Sequence, residues 1–514
     1  MGVFAIISTN IPTKPFGEIP DPAMTKDDSA ALSYLEWETP PEKITITQHG
    51  PIDSVFSEII FSRDPEYDLK AELIGHVSNG SIKNRPAAGT VTSGGEAQGH
   101  TEDGRPATLM GVVQGSTNLS GTGEIKAAAK IGRIKIGDFP RTQLTQPAWL
   151  SIWCLNGSRS IHYPRITERV RKGEIRRVRR DASRSTGADL TLPGGFTSSS
   201  SSDYFEIKNV YFHARFCLAP GEIGPSWSRN AAVDILANPY DVVPSEAPKE
   251  LLNALGYFLG RQLIPIGYTW FAGNGMPIET ESCRPWTWDV KRKCEQPDAP
   301  PVRLDTPFLD EARLSDLVTR FLDSHDEFDL SHAMWNYWLA VISPPDAAIG
   351  HFSTVLETLM TAWFRSKRSK SHGFYMPEKD FEALTQGAFS SIETALGTNP
   401  DKDKILGRLK GVNRFGTNET FVVFFNELGL PISDVERYVI RIRNRIVHGN
   451  AGANDGHALV HNMRAYRAFV NRVLLKCLGY SGNYIDYSCS EFPERDIDSP
   501  LGGPAGNQQP AKLS

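Results

Sequence analysis

Cysteine is scarce in this chain: six residues in 514 (Cys154, Cys217, Cys283, Cys294, Cys477 and Cys489), with no CxxC pair. That density excludes a disulfide-stapled scaffold and fits reduced thiols in the cytosol. No apolar run approaches about 18 residues, which excludes a membrane-spanning helix. The opening 1–7 has no basic flank and too short an apolar run for a signal peptide, and Ile6 stands where a myristoylation motif wants Ser or Thr. Excess positive charge is missing too. Lys plus Arg total 55 against 60 Asp plus Glu, net -5, so a generally basic nucleic-acid coat is excluded while a local basic patch is not. Walker A loop, nucleophile elbow and dinucleotide fingerprint are all absent, and no internal repeat is found. The expectation is a cytoplasmic protein with no membrane partner.

What is present is ordinary globular material: 40% apolar, 22% charged, mean hydropathy -0.32, long enough for about three domains. The first three hundred residues read as β-rich. Short or alternating apolar segments recur at 44–47, 55–61, 69–77, 107–113, 125–136, 148–154 and 204–217, separated by Gly, Asn, Ser and Pro clusters, the pattern of an antiparallel sheet or sandwich. Leu251, Leu255, Phe258, Leu259 and Leu263 predict one interrupting helix. The Ser/Gly-rich stretch 184–202 and the Pro/Asp linker 296–307 are expected to be mobile.

Beyond the linker the period changes from two to 3.6. Leu314, Leu317, Val318 and Phe321 suggest one helix, and Trp335, Trp338, Leu339 and Ile342 another. Five better-punctuated stripes follow. Pro344-Pro345 opens the first (Ile349, Phe352, Leu356, Leu359, Trp363), and Pro377 the second (Phe381, Leu384, Ile392, Leu396), which stops at Gly397. Asn399-Pro400 reads as a cap with proline at the first helical position, and Phe421, Phe424, Phe425 and Leu428 run to Gly429. Ser433-x-x-Glu436 is a capping box for a helix through Val435, Tyr438, Val439, Ile442 and Ile446. The last helix starts near Asp455, with Leu459, Met463, Tyr466, Val470, Val473, Leu474 and Cys477 inward. The fold class expected is α+β: an antiparallel β-rich region over 1–330, an all-α bundle over 331–480 and a disordered Pro/Gly/Gln-rich tail over 481–514. Residues 346–480 carry 18 Lys/Arg and 13 Asp/Glu, net +5, which leaves -10 for the rest. Such asymmetry suits a polyanion-binding bundle, and a solvated helical surface gives a similar count.

The informative segment is 441–449, Arg-Ile-Arg-Asn-Arg-Ile-Val-His-Gly. An arginine followed after four to six residues by histidine is a weak pattern alone. With 34 Arg and 12 His in 514 residues, about 2.4 chance pairs are expected. Four occur: Arg320/His325, Arg365/His372, Arg441/His448 and Arg443/His448. The first lies at an acidic helix end (Asp323, Asp326, Glu327) and the second in a Lys/Ser-rich loop. Only the 441–448 copies sit in the penultimate amphipathic helix of a bundle, with Asn444 directly after an arginine.

There the sequence resembles a HEPN domain, whose nuclease motif is Arg, then Asn, Asp or His, a short spacer and His. Leu356-Glu357-Thr358-Leu359 is similar to the first HEPN helix of the ApeA-like anti-phage proteins, which also carry a large β-rich N-terminal region. The likeness covers about 346–480 and is only architectural over 30–330. It implies a metal-independent, cofactor-free endoribonuclease that acts as a homodimer on RNA, tRNA among the candidates. The β-rich region would be its sensor or restraint, answering an unknown phage trigger in abortive infection. The catalytic residues implied are Arg443, Asn444 and His448, with Arg441 and Glu357 in support and Arg445 against RNA.

These residue types suit that chemistry. The ribose 2′-OH must lose a proton as it attacks the adjacent phosphate and the 5′-oxygen must gain one, transfers that an imidazole titrating near neutral pH can serve. Charge gathering on the phosphate needs a fixed cation with several donors, which a guanidinium supplies, and the Asn444 amide can hold a phosphate or orient the ring. With Ile442 at the core centre of a regular helix, Arg441, Asn444 and His448 fall at about -100°, -160° and -120°, while Arg443 falls at about +100°. Arg441 is thus the geometric rival of the motif arginine Arg443, unless two subunits meet.

The competing reading is a solvated helix with His448 near its C-terminal cap, where the helix dipole favours a cation. The chain would then be a non-catalytic RNA- or nucleotide-binding protein with a β-rich partner-binding domain. Weaker candidates are the basic run 165–184, with nine Lys/Arg against three acids, the His457/His461 pair, which lacks a third metal ligand, and Asp289-Val290-Lys291.

Overall fold

The computed structural model describes residues 42–64, 67–76, 95–120, 123–138, 148–158, 160–169, 178–181, 199–208, 213–218, 231–237, 247–271, 277–285, 290–304, 307–447 and 456–504. Within these, sixteen strands form one sheet. Its first eight in the chain are β1 (Glu42–Gln48), β2 (Phe56–Arg63), β3 (Leu69–His76), β4 (Glu96–Thr101), β5 (Pro106–Met110), β6 (Val113–Leu119), β7 (Glu124–Lys130) and β8 (Arg133–Ile136). The next eight are β9 (Ala148–Cys154), β10 (Arg165–Arg169), β11 (Val178–Asp181), β12 (Ser199–Lys208), β13 (His213–Leu218), β14 (Ala231–Ala237), β15 (Pro265–Phe271) and β16 (Pro277–Cys283).

In space the order is β11-β10-β12-β13-β14-β9-β15-β16-β8-β5-β4-β1-β2-β3-β7-β6, and neighbours pair antiparallel throughout. The expected antiparallel β-rich region is therefore present. Twisted open sheets wider than about ten strands curl or split, and the core divides accordingly. Strands β1 to β5, β7 and β8 share their own apolar cluster, from Ile44 to Ile136, with alternate residues buried along β3, β4 and β7 as a pleat requires. Gly99 lets β4 lie tight on β1, since a Cβ there would sit 2.2 Å from the Thr45 carbonyl oxygen.

The other half of the sheet packs on helices. Ten α-helices are described: α1 (Ala247–Leu259), α2 (Val290–Glu295), α3 (Glu311–Asp323), α4 (Leu330–Ile342), α5 (Pro345–Arg365), α6 (Glu378–Leu396), α7 (Lys402–Lys410), α8 (Thr417–Leu428), α9 (Asp434–Val447) and α10 (Gly456–Cys477). Among the described residues no helix is long and apolar enough to cross a membrane. One apolar cluster joins Leu150, Phe205 and Val233 of the sheet to Leu255 of α1, Phe321 of α3, Phe352 of α5, Val439 of α9 and Phe469 of α10. Helix α1 lies against α3 and α4, and α5 packs on α4, α8, α9 and α10.

Several expectations change. The linker 296–307 is not mobile where it is described: Val302 and Leu304 are buried, and Asp298 accepts hydrogen bonds from Arg261 and from the Ser158 hydroxyl. It closes on the end of α1 at Gly260, whose φ is +75° and whose added Cβ would lie 2.2 Å from Pro300 N. Ser199 to Ser202, expected in a mobile stretch, pair in β12 with β10. Nor is the segment after Gly479 a disordered tail. It folds through Pro504 as a small pair, β17 (Asn483–Ile485) and β18 (Glu494–Asp496), because Tyr484, Ile497 and Leu501 supply buried apolar surface. Residues 505–514 lie outside the described residues. On α4 the expected Trp338 and Ile342 are buried, together with Ala333, Tyr337 and Ala340, but Trp335 is 59% exposed.

Candidate functional site

Helix α9 starts where its capping box predicts. Ser433 N donates to Glu436 Oε2 at 2.7 Å and Glu436 N to Ser433 Oγ at 3.3 Å, so two donors at the helix start find partners. The second oxygen of Glu436 turns inward, where Oε1 accepts from Arg472 Nη1 at 2.6 Å and from Leu501 N at 3.5 Å. Arg472 also donates from Nε to the Ile497 carbonyl at 2.7 Å and from Nη1 to that of Pro431 at 2.9 Å. Both charged side chains are fully buried. Burial pushes the Glu436 carboxyl up, and Arg472 pulls it back. The start of α9 is thus tied to α10 and to the C-terminal segment, which fixes its rotation.

That rotation buries Val435, Val439 and Ile442 and leaves Arg437 and Arg441 exposed, the face that helical periodicity assigns to them. Arg441 Nε donates to the Arg437 carbonyl at 3.3 Å. The backbone of α9 continues through Arg443, Asn444 and Arg445 to Val447. The side chains at 443–447, and His448 as a whole, lie outside the described residues. Of the predicted site residues on this helix, Arg441 is the one whose side chain is placed. Glu357 is half-buried on α5, a helix that packs against α9.

The remaining arginine–histidine pairs are separated by other partners. Arg320 Nε meets Asp316 at 2.8 Å and its Nη1 donates to the Gly479 carbonyl at 2.9 Å, while His325 engages Asp326 and Ser331. The His372 Nδ1 sits 3.2 Å from the Phe364 carbonyl oxygen, and Arg365 is exposed. His457 is exposed and His461 half-buried on α10, and neither joins a group of three metal-ligating side chains among the described residues. Asp289 lies outside the described residues.

Arg165, first of the basic run, has a structural post. Its Nε and Nη2 grip Glu311 of α3 at 2.8 and 2.9 Å. Beside it the buried Glu206 meets Arg165, Lys208, His213 and Arg215 at 3.3 to 3.5 Å. Burial alone would raise this carboxyl, but the His213 hydrogen bond and the charges of Arg165 and Lys208 hold it down at about 2. Arg165, Glu206, Lys208 and Glu311 border a cavity of about 510 Å³ between β12 and α3. Its charges answer one another, and a carboxylate ionised so firmly is a poor proton carrier near neutral pH.

Sequence reading missed the partner of Glu436, because nothing in local spacing points from α9 to Arg472. It also passed over a cluster of Glu250, His325 and Asp326, whose sequence signal is only a His-Asp dipeptide in a turn. Comparison with known protein families, with curated proteins and with solved structures finds no match to this chain.

Proposed function

We propose that this chain is a metal-independent endoribonuclease of the HEPN type, acting as a homodimer in abortive anti-phage defence. His448 would transfer protons, Arg443 would stabilise charge on the attacked phosphate and Asn444 would orient substrate or imidazole, with Arg441 and Glu357 in support. The β-rich region would restrain or trigger the reaction. The observation that supports this reading is the setting of α9, with Val439 and Ile442 inside and Arg441 outside. A rigidly capped helix of that orientation carries Arg437 and Arg441 into solvent, where a ribose-phosphate chain can reach them. Arginine there supplies fixed positive charge and forked donors for phosphate.

The test is incubation of purified protein with total tRNA in EDTA. Fragments ending in 2′,3′-cyclic phosphate are expected. His448→Ala should lower the cleavage rate by about 100-fold or more with an unchanged circular dichroism spectrum. Full activity in that variant removes His448 from the chemistry. RNA that stays intact while bound to the unaltered protein favours the non-catalytic reading.

A further inference from the structure

We propose that Glu250, His325 and Asp326 form a site for one divalent transition ion of the zinc class, clipping α1 to the turn between α3 and α4. The three donor atoms lie within 4.8 Å of one another. His325 is nine-tenths buried, and its Nδ1 faces Asp326 Oδ1 at 3.1 Å and Glu250 Oε1 at 3.6 Å. A tetrahedral site with ligand bonds of about 2.1 Å has ligand–ligand edges of roughly 3.4 Å, so both distances already suit a shared ion.

Hydrogen bonding leaves this arrangement half explained. An Nδ1 carries at most one proton, and it is spent on the nearer carboxylate. Glu250, at 3.6 Å, is beyond hydrogen-bond reach and has no other ion-pair or hydrogen-bond partner among the described residues. A cation seated between the three groups would satisfy both carboxylates together. The far side of the ring is prepared as well, since Nε2 lies 3.1 Å from Ser331 Oγ. With Nδ1 on a metal the neutral imidazole carries its proton on Nε2 and donates it to that hydroxyl, the outer contact that ligating histidines commonly make. Asp326 is fully exposed, so the site has an open side for water as a fourth ligand. One imidazole with two carboxylates and no thiolate suits zinc and its first-row neighbours.

The consequence is structural. Glu250 belongs to the first turn of the helix that lies against the sheet, and His325 and Asp326 to the turn between two helices of the core. An ion shared by them binds the folded chain and not the unfolded one, and so stabilises the junction by mass action. This is independent of the ribonuclease proposal, because no residue of 441–448 takes part.

The experiment is calorimetric titration of the metal-stripped full chain with zinc chloride, paired with thermal unfolding with and without zinc. One ion per chain and a raised unfolding midpoint are expected. Affinity should fall roughly tenfold or more in Glu250→Gln and in His325→Ala, and both should lose the zinc-dependent rise. His332→Ala, which alters an exposed imidazole on α4, should behave as the unaltered chain. Glu250→Gln keeps the shape of a half-exposed side chain, so it remains informative where His325→Ala fails to fold. No zinc binding at all, or equal binding in Glu250→Gln and the unaltered chain, overturns the site. RNA cleavage in EDTA reads the other proposal separately.

Discussion

A guanidinium with no exposure to water must find protein acceptors for its donors, and Arg472 finds three: the carbonyls of Pro431 and Ile497 and the carboxylate of Glu436. The pair cannot be judged by its Coulomb attraction alone, because both charges have lost their hydration. What can be judged is the outcome of breaking it. Arg472→Ala leaves the Glu436 carboxylate buried beside a void and cuts the tie between α9 and the C-terminal segment. The expected loss is about 3–5 kcal/mol of unfolding free energy, measured by urea denaturation. A loss under about 1 kcal/mol would mean that the apolar contacts of Val435, Val439 and Ile442 suffice to set the helix. Half of this device was legible in the sequence. Ser433 and Glu436 announced a capping box because capping is local, whereas the second role of Glu436 depends on α10 crossing behind it, which no spacing rule encodes.

Among the elements, α6 shows where periodicity misleads. Its stripe of Phe381, Leu384, Ile392 and Leu396 has the spacing of a core-facing helix, yet none of its nineteen residues is buried and Leu384 is 78% exposed. Period says that a face is apolar; it does not say that another element arrives to cover it. The stripes of α3 and α5 are buried throughout because other elements do cover them, α1 and β12 on α3, and α4, α9 and α10 on α5. On α4, Trp338 and Ile342 are buried while Trp335 faces outward. Helix α6 packs against α7, which has no buried residue either, so the two form a hairpin attached at its base. That base is closed by Tyr375 N donating to the Asn413 carbonyl at 2.9 Å and Asn413 Nδ2 donating to that of Met376 at 2.9 Å. Replacing 378–410 by a short Gly/Ser link should therefore leave the rest folded, with unfolding free energy changed by less than about 1 kcal/mol, since little apolar area leaves the core. Insolubility of the shortened chain, or loss of its cooperative thermal transition, would show that the hairpin is covered and needed.

At the scale of the molecule the expected boundary at 330/331 is not where the core ends. One apolar cluster runs from Leu150 in β9 to Leu501 beyond β18, through α1, α3, α4, α5, α9 and α10. The α+β class could be read from the switch of period near residue 310, because each period reflects a local backbone geometry. Which faces of the sheet and helices meet is decided by contacts far apart in the chain, so the partition was drawn at the change of pattern instead. The aromatic stack makes the continuity concrete. Tyr257 of α1 lies 5.7 Å from the ring of Tyr337 in α4, which lies 5.6 Å from Phe352 in α5, and the Tyr257 hydroxyl donates to the Asn471 carbonyl of α10 at 3.4 Å. A fragment of 331–480 alone would uncover the helical surface that α1 and α3 occupy and would also lose Tyr484, Ile497 and Leu501. Each large apolar side chain so exposed costs roughly 1.5–3 kcal/mol, and only a few such losses exceed the stability of an ordinary domain. That fragment should give poorly dispersed amide resonances and no cooperative melt, while 148–504, which keeps the whole cluster, should unfold in one transition. A well-dispersed spectrum from 331–480 would mean that the helices hold a core of their own, and the β-rich region would then be free to act on the bundle as a separate body instead of as part of its interior.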